Sequence, residues 1–216
     1  MTQVIRINQL KPSLKLINRA VEVVRAGGVI AYPTETFYGL GVNALNREAI
    51  KKIYTIKKRS FTQPLLILIP DRNVLSQYVK DIPGIAMKLI NKFWPGPLTL
   101  VFSASPDLPP LLCAHTQKIA IRISSHPIAQ ALVKSFNFPI TSTSANISGY
   151  PSPTTSHEVS LQLKDSVDLI IDGGQTSGGK PSTIIDVTQF PPRLVREGAI
   201  SFQELKSYWV LAEFSI

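Results

Sequence analysis

The sequence of 216 residues is poor in the residues that build metal centres and disulfide frameworks. It contains one cysteine, Cys113, and three histidines without metal-ligand spacing, so an internal disulfide and a multi-cysteine zinc site are excluded. Its longest strongly apolar run, residues 65–69, is far shorter than the roughly 20 residues of a membrane-spanning helix. Basic residues interrupt the apolar N-terminal segment, so no signal peptide is visible. We therefore expect a soluble cytoplasmic protein without a structural metal and without a membrane partner.

Acidic residues are scarce as well: 14 Asp and Glu stand against 23 Lys and Arg and leave a net charge of +9. An excess of this size favours an anionic partner such as a nucleotide, a phosphate or a nucleic acid, although a solvated lysine-rich surface explains it equally well. Hydrophobic residues make up 44% and charged residues 17% of the chain, which excludes a disordered protein. No internal repeat or long linker stands out, so we expect one domain over residues 1–216 with its core at about 10–200.

Short apolar strands alternate with amphipathic helices along most of the chain. The last three predicted strands follow one another without helices between them, so we expect a mixed sheet rather than a purely parallel one. The pattern predicts an α/β (α+β) fold, a large twisted mixed sheet flanked by helices, with residues 33–41 as a loop. Helices are predicted over 14–24, after Asn46, and over 83–93, 127–135 and 201–210; strands are predicted over 4–7, 29–32, 65–69, 98–102, 119–123, near Ile140, and over 169–172, 183–187 and 193–195.

Three polar segments follow predicted strands or helices, and loops after strands build the ligand crevices of open α/β sheets. Residues 33–41 carry threonine hydroxyls and glycines that allow a ligand close to the backbone. Lys57 and Arg59 follow a helix, where they can bind phosphate or complement the helix dipole. Residues 141–149 combine hydroxyl groups with an asparagine, a set that holds anions or caps a helix. Taken singly, each segment is also compatible with an ordinary turn or helix end.

Two further motifs lack residues that their chemistry requires. Residues 174–180 nearly spell a phosphate-binding loop, but Pro181 stands where a Ser or Thr must reach magnesium. A strand pattern follows this segment, so the helix N-terminus of such a loop is missing too. Cys113 and His115 stand two residues apart in a predicted loop, which is a poor geometry for a nucleophile and its base. We therefore assign neither a phosphate-binding loop nor a cysteine nucleophile.

Taken together and in order, the segments resemble the YrdC family of threonylcarbamoyl-AMP synthases. The likeness covers nearly the whole chain and implies a YrdC-like fold with a central open basic cleft and no additional C-terminal domain. It implies a nucleotidyltransferase that joins L-threonine, bicarbonate and ATP into threonylcarbamoyl-adenylate and pyrophosphate. The product serves a separate transferase complex that modifies tRNA. The motifs that carry the likeness are Pro-Thr-Glu-Thr-x-Tyr-Gly-Leu from Pro33, Lys57-x-Arg59, Trp-Pro-Gly-Pro-Leu-Thr from Trp94, the strand ending at Arg122, Ser142-x-Ser-Ala-Asn146, Ser182-Thr183 and Arg196-Glu-Gly198.

The same resemblance implies roles for particular side chains. The residues expected to contact threonine are Thr36, Arg122, Ser142 and Ser182. Those expected around the nucleotide are Lys57, Arg59, Gln63, Lys118, Ser144, Asn146, Ser152 and Arg196, and the expected catalytic group among them is Lys57, Arg59, Ser144 and Asn146. Mg²⁺ is expected to arrive with ATP, because the sequence shows no carboxylate cage for it.

Some positions depart from the family pattern. Lys58 and Ser60 stand where members often have Gly and Pro, and Leu68 stands where some members carry a threonine-contacting histidine. Three other functions are compatible with the sequence. One is a non-catalytic protein that binds tRNA or double-stranded RNA, favoured by the basic charge. Another is a carbamoyl-adenylate-forming domain of the hydrogenase-maturation kind, although those domains belong to much longer chains. The third is a YciO-like paralogue of unknown activity, against which the intact cation and Ser-Ala-Asn motifs argue.

Overall fold

A computed structural model describes residues 1–210 of the protein, with side chains as far as Tyr208. The predicted helices are present, together with one further helix, α5, that the sequence pattern did not indicate. The helices are α1 (Leu14–Arg25), α2 (Arg47–Lys57), α3 (Gly84–Phe93), α4 (Pro127–Ser135), α5 (Ser156–Leu163) and α6 (Phe202–Val210). The strands are β1 (Gln3–Arg6), β2 (Ile30–Pro33), β3 (Tyr38–Gly41), β4 (Leu66–Leu68), β5 (Leu98–Ser103), β6 (Lys118–Arg122), β7 (Ile140–Thr141), β8 (Thr143–Ser144), β9 (Leu169–Asp172), β10 (Thr183–Asp186) and β11 (Arg193–Arg196).

The expected mixed α/β fold is confirmed, but the strands divide between two mixed sheets instead of one. Sheet one has the order β1-β9-β2-β3-β8, and sheet two has the order β11-β10-β5-β6-β4-β7. The chain crosses between the sheets at Ser142, because β7 pairs with β4 and the next strand, β8, pairs with β3. Apolar patterning shows that a segment is a strand but not which strand it pairs with, so the division was not predictable.

The interpretation of residues 33–41 as a loop is wrong for its second half. Residues 38–41 form β3, which pairs antiparallel with β2 and β8. Its two glycines concealed the strand, since glycine is depleted in strand interiors. Gly41 is needed here because a Cβ at this position would lie 2.8 Å from the Tyr32 ring. The result is a β2–β3 hairpin whose turn, residues 34–37, projects from the end of sheet one.

Two apolar clusters hold these elements in place. The buried face of α1, with Ile17, Val21 and Val24, packs with α4 against sheet one, whereas Leu14 at the start of the helix is exposed. A larger cluster joins residues of both sheets to α2 and α3, and Phe93 of α3 contacts Tyr208 of α6 with ring centroids 5.2 Å apart. Each fully buried Leu or Ile contributes about 1.5–3 kcal/mol through burial alone. Both sheets are therefore firmly backed by apolar packing on their core faces.

Helix α2 begins and ends as its sequence predicts. Asn46 caps its start, because the side-chain oxygen accepts hydrogen bonds from the Glu48 and Ala49 amides. Lys58 takes a left-handed conformation with φ of +49° and ends the helix after Lys57. Of the helices in residues 1–210, none is long and apolar enough to cross a membrane.

Candidate active site

A cavity of about 590 Å³ opens between residues of the two sheets. Its floor is one face of sheet two, formed by Leu66, Val101, Ala120 and Ile184. The residues that alternate with them along the strands point to the other face and are buried in the core. The β2–β3 turn, the loop that follows α2 and the segment around β8 form the walls.

Most of the predicted site residues meet at this cavity. Nine of the twelve line it: Thr36, Arg59, Gln63, Arg122, Ser142, Ser144, Ser152, Ser182 and Arg196. The other three, Lys57, Lys118 and Asn146, are not among the lining residues. The individual roles of all twelve stay predictions.

Arg59 reaches the cavity because the chain turns after α2. Its Nη1 donates to Thr143 Oγ1 at 3.2 Å and its Nη2 donates to the Pro64 carbonyl oxygen at 2.9 Å. Its Nε is buried and has no hydrogen-bond partner among the described residues. Burial lowers the pKa of Arg59, yet an arginine stays charged at neutral pH. The guanidinium is therefore held by two hydrogen bonds, and its Nε–H is not engaged by the described residues.

Arg196 lies on β11 at the opposite wall. Its Nε and Nη2 donate to the Ser182 carbonyl oxygen at 3.2 and 2.8 Å, so the side chain is fixed along β10. Burial lowers the pKa of Arg196, and the positive charges of Arg122 and Arg59 lower it further. Three guanidinium groups thus share one cavity, and their mutual repulsion is relieved when an anion binds among them.

Arg122, at the end of β6, is the most buried of the three, with 3% of its side chain exposed. Its Nη1 donates to Glu35 Oε1 at 2.5 Å, and the second carboxylate oxygen of Glu35 accepts from the Ser124 hydroxyl. The Nε of Arg122 is buried without a partner among the described residues. Arg122 thus lines the cavity and, like Arg59, has an Nε–H that no described residue accepts.

Hydroxyl groups complete the lining. The Thr34 and Thr36 hydroxyls lie 3.2 Å apart in the β2–β3 turn, and the Ser182 hydroxyl lies 2.9 Å from that of Thr99. Ser142 Oγ is buried without a well-formed hydrogen bond to the described residues, since the neighbouring Tyr32 hydroxyl donates to the Thr141 carbonyl oxygen. A buried hydroxyl without a partner is costly. Ser142 thus adds a third unsatisfied group to the cavity wall.

Lys57 lies behind the cavity wall and is 2% exposed. Its ammonium group donates to the carbonyl oxygens of Ser144 and Asn146 at 2.5 and 2.8 Å and to Asn146 Oδ1 at 2.8 Å. Burial lowers the pKa of Lys57 to about 7, and the charge of Arg59 acts in the same direction. An ammonium group has three donors, and all three are engaged by the segment that presents Ser144.

Lys118 lies at the start of β6, two residues before Ala120 of the cavity floor. Its ammonium group is 2.8 Å from Asp186 Oδ2. The other oxygen of Asp186 accepts from the amide and the hydroxyl of Thr188. Lys118 and Ala120 are two residues apart and share a face of the sheet. Lys118 is therefore near the site on the same surface but is engaged by a carboxylate.

The acidic residues of the cavity region do not form a resident metal site. Among residues 1–210, no group of three or more His, Cys, Asp and Glu side chains is arranged to hold a metal ion. Glu35 stands between the lining residues Thr34 and Thr36, and both of its carboxylate oxygens accept hydrogen bonds from protein groups. The donor set thus suits an anionic ligand rather than a protein-bound cation.

Sequence reasoning missed the cavity floor and the contact between Glu35 and Arg122. Val101 and Ile184 are partly exposed although they are apolar, like the buried Leu100 and Ile185 beside them, so hydrophobicity alone did not mark them as cavity residues. The charge of Glu35 inside a segment of apolar and hydroxyl residues was a signal for its buried partner. The rejection of the phosphate-binding loop is consistent with the structure, because residues 174–180 lead into β10 and not into a helix.

The fold and the cavity define an α/β protein with a cationic, hydroxyl-lined ligand cleft. The protein family Sua5_yciO_yrdC, described as "Telomere recombination", matches residues 22–198. The chain belongs to this family, which confirms the resemblance seen in its motifs.

Known relatives and solved structures agree with this assignment. The threonylcarbamoyl-AMP synthase of Pyrococcus abyssi is 40% identical over 216 residues, which are 100% of this chain and 63% of that protein. The crystal structure of P. abyssi Sua5 complexed with L-threonine matches with a TM-score of 0.92 at 40% identity, over 96% of this chain and 61% of that one. The structure of Escherichia coli YciO matches with a TM-score of 0.88 at 34% identity, over 95% of this chain and 100% of that one. This chain therefore spans less than two thirds of the P. abyssi protein.

Proposed function

We propose that the protein is a threonylcarbamoyl-AMP synthase, a nucleotidyltransferase that converts L-threonine, bicarbonate and ATP into threonylcarbamoyl-adenylate and pyrophosphate. The observation that carries the proposal is that three arginines, Arg59, Arg122 and Arg196, line one cavity together with serine and threonine residues. Arg59, Arg122 and Ser142 each also have a buried polar atom without a hydrogen-bond partner among the described residues, which is rare in proteins. A cavity lined by three cations and by hydroxyl groups favours an anionic ligand.

The chemistry needs positioning more than it needs a reactive side chain. Bicarbonate takes up a proton and loses water to give carbon dioxide, and the threonine amine attacks the carbon dioxide to form a carbamate, which returns one proton. A carbamate oxygen then attacks the α-phosphorus of ATP, and the bond between that phosphorus and the oxygen bridging to the β-phosphate breaks to release pyrophosphate. Fixed cations stabilise the negative charge that shifts to the leaving group.

The cavity offers groups for both substrates. Arg122, Ser142, Thr36 and Ser182 would bind threonine, with the guanidinium on its carboxylate. Arg59, Gln63, Ser144, Ser152 and Arg196 would surround the nucleotide, and Lys57 and Asn146 would hold the Ser144 segment against it. Lys118 would act at the margin of the nucleotide site. Mg²⁺ would enter as part of the ATP substrate, since the metal prefers phosphate oxygens and keeps several waters.

The name of the P. abyssi relative and its threonine complex support this proposal. We expect the adenylate to pass, in the cytoplasm, to a transferase complex that acts on tRNA. We treat residues 1–216 as one catalytic domain of this kind. The charge of +9 would also allow direct contact with tRNA, a contact that a gel-shift measurement at varied salt tests separately.

A second candidate is a YciO-like activity other than threonylcarbamoyl-AMP synthesis, because this chain covers the whole of the E. coli YciO structure. A paralogue of that kind need not use threonine. Purified protein is therefore incubated with Mg²⁺·ATP and labelled bicarbonate, with and without L-threonine. The synthase proposal predicts pyrophosphate release that depends on threonine. Release that is equal in both reactions, or no release in either, contradicts it.

A further inference from the structure

The turn between β2 and β3 reaches from sheet one to the end of sheet two. Glu35 lies in this turn, and its carboxylate accepts from Arg122 Nη1 at 2.5 Å and from the Ser124 hydroxyl. Both partners belong to the end of β6 and the loop that follows it. The two neighbours of Glu35 in the turn, Thr34 and Thr36, line the cavity, whereas Glu35 itself does not. Its carboxylate is thus directed at Arg122 rather than at a ligand.

The contact with Glu35 determines which donors of Arg122 stay free. A guanidinium group has five N–H donors in one plane, and the edge formed by Nε and one Nη binds a carboxylate with two parallel hydrogen bonds. Nη1 is held by Glu35, while Nε is buried without a partner among the described residues. The edge formed by Nε and Nη2 is therefore the one that the described residues leave unengaged.

The pair is also shielded from water, since 3% of the Arg122 side chain and 13% of the Glu35 side chain are exposed. A buried cation without a counter-charge is strongly unfavourable. Arg122 already faces the positive charge of Arg196 across the cavity. The negative charge of Glu35 offsets this repulsion before a ligand binds, so the guanidinium can keep a single orientation.

We propose that Glu35 is a positioning residue for the amino-acid substrate: it orients Arg122 so that the free guanidinium edge binds the substrate carboxylate. This inference rests on the proposed function. It assigns Glu35 no contact with ATP and no proton transfer. Its consequence is specific, because loss of Glu35 should weaken the use of threonine much more than the use of ATP.

The experiment measures threonine-dependent pyrophosphate release by wild type and by Glu35→Gln, which keeps the size of the side chain and removes its charge. We expect the KM for threonine to rise at least about 10-fold, as for loss of a hydrogen bond to a charged group. The KM for ATP should stay within about twofold and kcat at saturating threonine within about threefold. Glu48→Gln, an exposed glutamate paired with Lys51 on α2, is the matched control and should match wild type.

A double-mutant cycle separates positioning from general structural support. If Glu35 acts through Arg122, Glu35→Gln should change the KM for threonine by less than about twofold in an Arg122→Lys background, because the oriented edge is already lost. Ser124→Ala removes the second anchor of the carboxylate together with an acceptor for the His126 amide, and it should raise that KM less than Glu35→Gln does. Full additivity in the cycle overturns the proposal.

The remaining outcomes are equally decisive. An unchanged KM for threonine in Glu35→Gln, or an equal rise in the KM for ATP, overturns the positioning role while leaving the proposed function in place. Wild-type protein without threonine-dependent release overturns the proposed function and the substrate named here. If Glu35→Gln fails to fold, Glu35→Asp replaces it: a raised KM for threonine at constant KM for ATP supports the proposal, and an unchanged KM overturns it.

Discussion

The ammonium group of Lys57 lies 2.8 Å from the side-chain oxygen of Asn146, and the same oxygen accepts a hydrogen bond from the Ser144 hydroxyl at 2.6 Å. A buried cation on α2 thus organises the segment that follows β8. Lys57 is 2% exposed, and this burial is the main cause that lowers its pKa to about 7. Lys57 therefore connects the cation motif of the sequence to the Ser-Ala-Asn motif by direct contact.

We predict that Lys57→Met lowers kcat/KM at least about 10-fold, because the carbonyl oxygens of Ser144 and Asn146 lose their donor and the segment shifts. Steady-state kinetics with varied ATP measure this effect. Lys51→Met on the exposed face of α2 is the control and should have the activity of wild type. Equal activity of Lys57→Met and wild type contradicts the role of Lys57 in holding this segment.

Arg59→Ala should lower kcat/KM at least about 100-fold, which corresponds to about 2.7 kcal/mol of transition-state stabilisation. The guanidinium is fixed by Thr143 and Pro64 with its Nε free, so it is already oriented for an anion. Arg72→Ala, which alters an exposed arginine bonded to Asn91, is the matched control. An Arg59→Ala variant within threefold of wild type removes Arg59 from the site.

Asp186 is predicted to stabilise the protein in a pH-dependent manner. Burial raises its pKa, but hydrogen bonds from Lys118 and Thr188 outweigh burial and leave the pKa below the usual value of 3.8. A carboxyl with a lowered folded-state pKa adds stability above its unfolded pKa and loses it as the pH falls through the folded one. Asp186→Asn should therefore be less stable than wild type in urea at pH 7.

Repeating this comparison of stability at low pH tests whether the charge of Asp186 is the cause of the difference. The difference in the free energy of unfolding between wild type and Asp186→Asn should shrink as the pH falls below about 4, where the carboxyl becomes protonated. A difference that stays constant from pH 7 to pH 3 would mean that the charge of Asp186 does not contribute. Circular dichroism in urea at each pH provides the measurement.

Gly198 of the Arg-Glu-Gly motif is predicted to be structural. A Cβ at this position would lie 2.1 Å from the Pro181 carbonyl oxygen and 2.7 Å from the Thr183 nitrogen. Both are backbone atoms that cannot move aside without shifting β10, so Gly198→Ala should lower Tm by several degrees. Gly84→Ala is the control, because nothing lies within 4 Å of its added Cβ. Equal Tm values for the two variants contradict this account.

The parts of the fold and site that the sequence predicted are those set by local patterns. The Asn46 cap and the buried stripe of α1 follow from spacing along the chain, and motif order predicted most of the cavity wall. Lys57 was expected beside the nucleotide, but its neighbours in space are the carbonyl oxygens of residues 144 and 146. These are contacts between segments almost 90 residues apart, and no local pattern encodes them.

The exchange of partners at Ser142 was equally hidden. One strand of two residues precedes Ser142 and another of two residues follows it, and the two belong to different sheets. Hydrophobic alternation needs about four residues to be recognisable, so the sequence indicated a strand near Ile140 but neither β8 nor the change of sheet. Glu35 was visible only as part of a motif, because its partners Arg122 and Ser124 lie in another sheet and the loop after it.

The most direct test of a site that binds ATP beside an amino acid is the stoichiometry of product formation. Protein supplied with labelled bicarbonate, Mg²⁺·ATP and L-threonine should form one labelled adenylate for each pyrophosphate released, and neither product should form when threonine is omitted. Pyrophosphate without incorporation of the label, or labelled product that forms without threonine, would contradict the account.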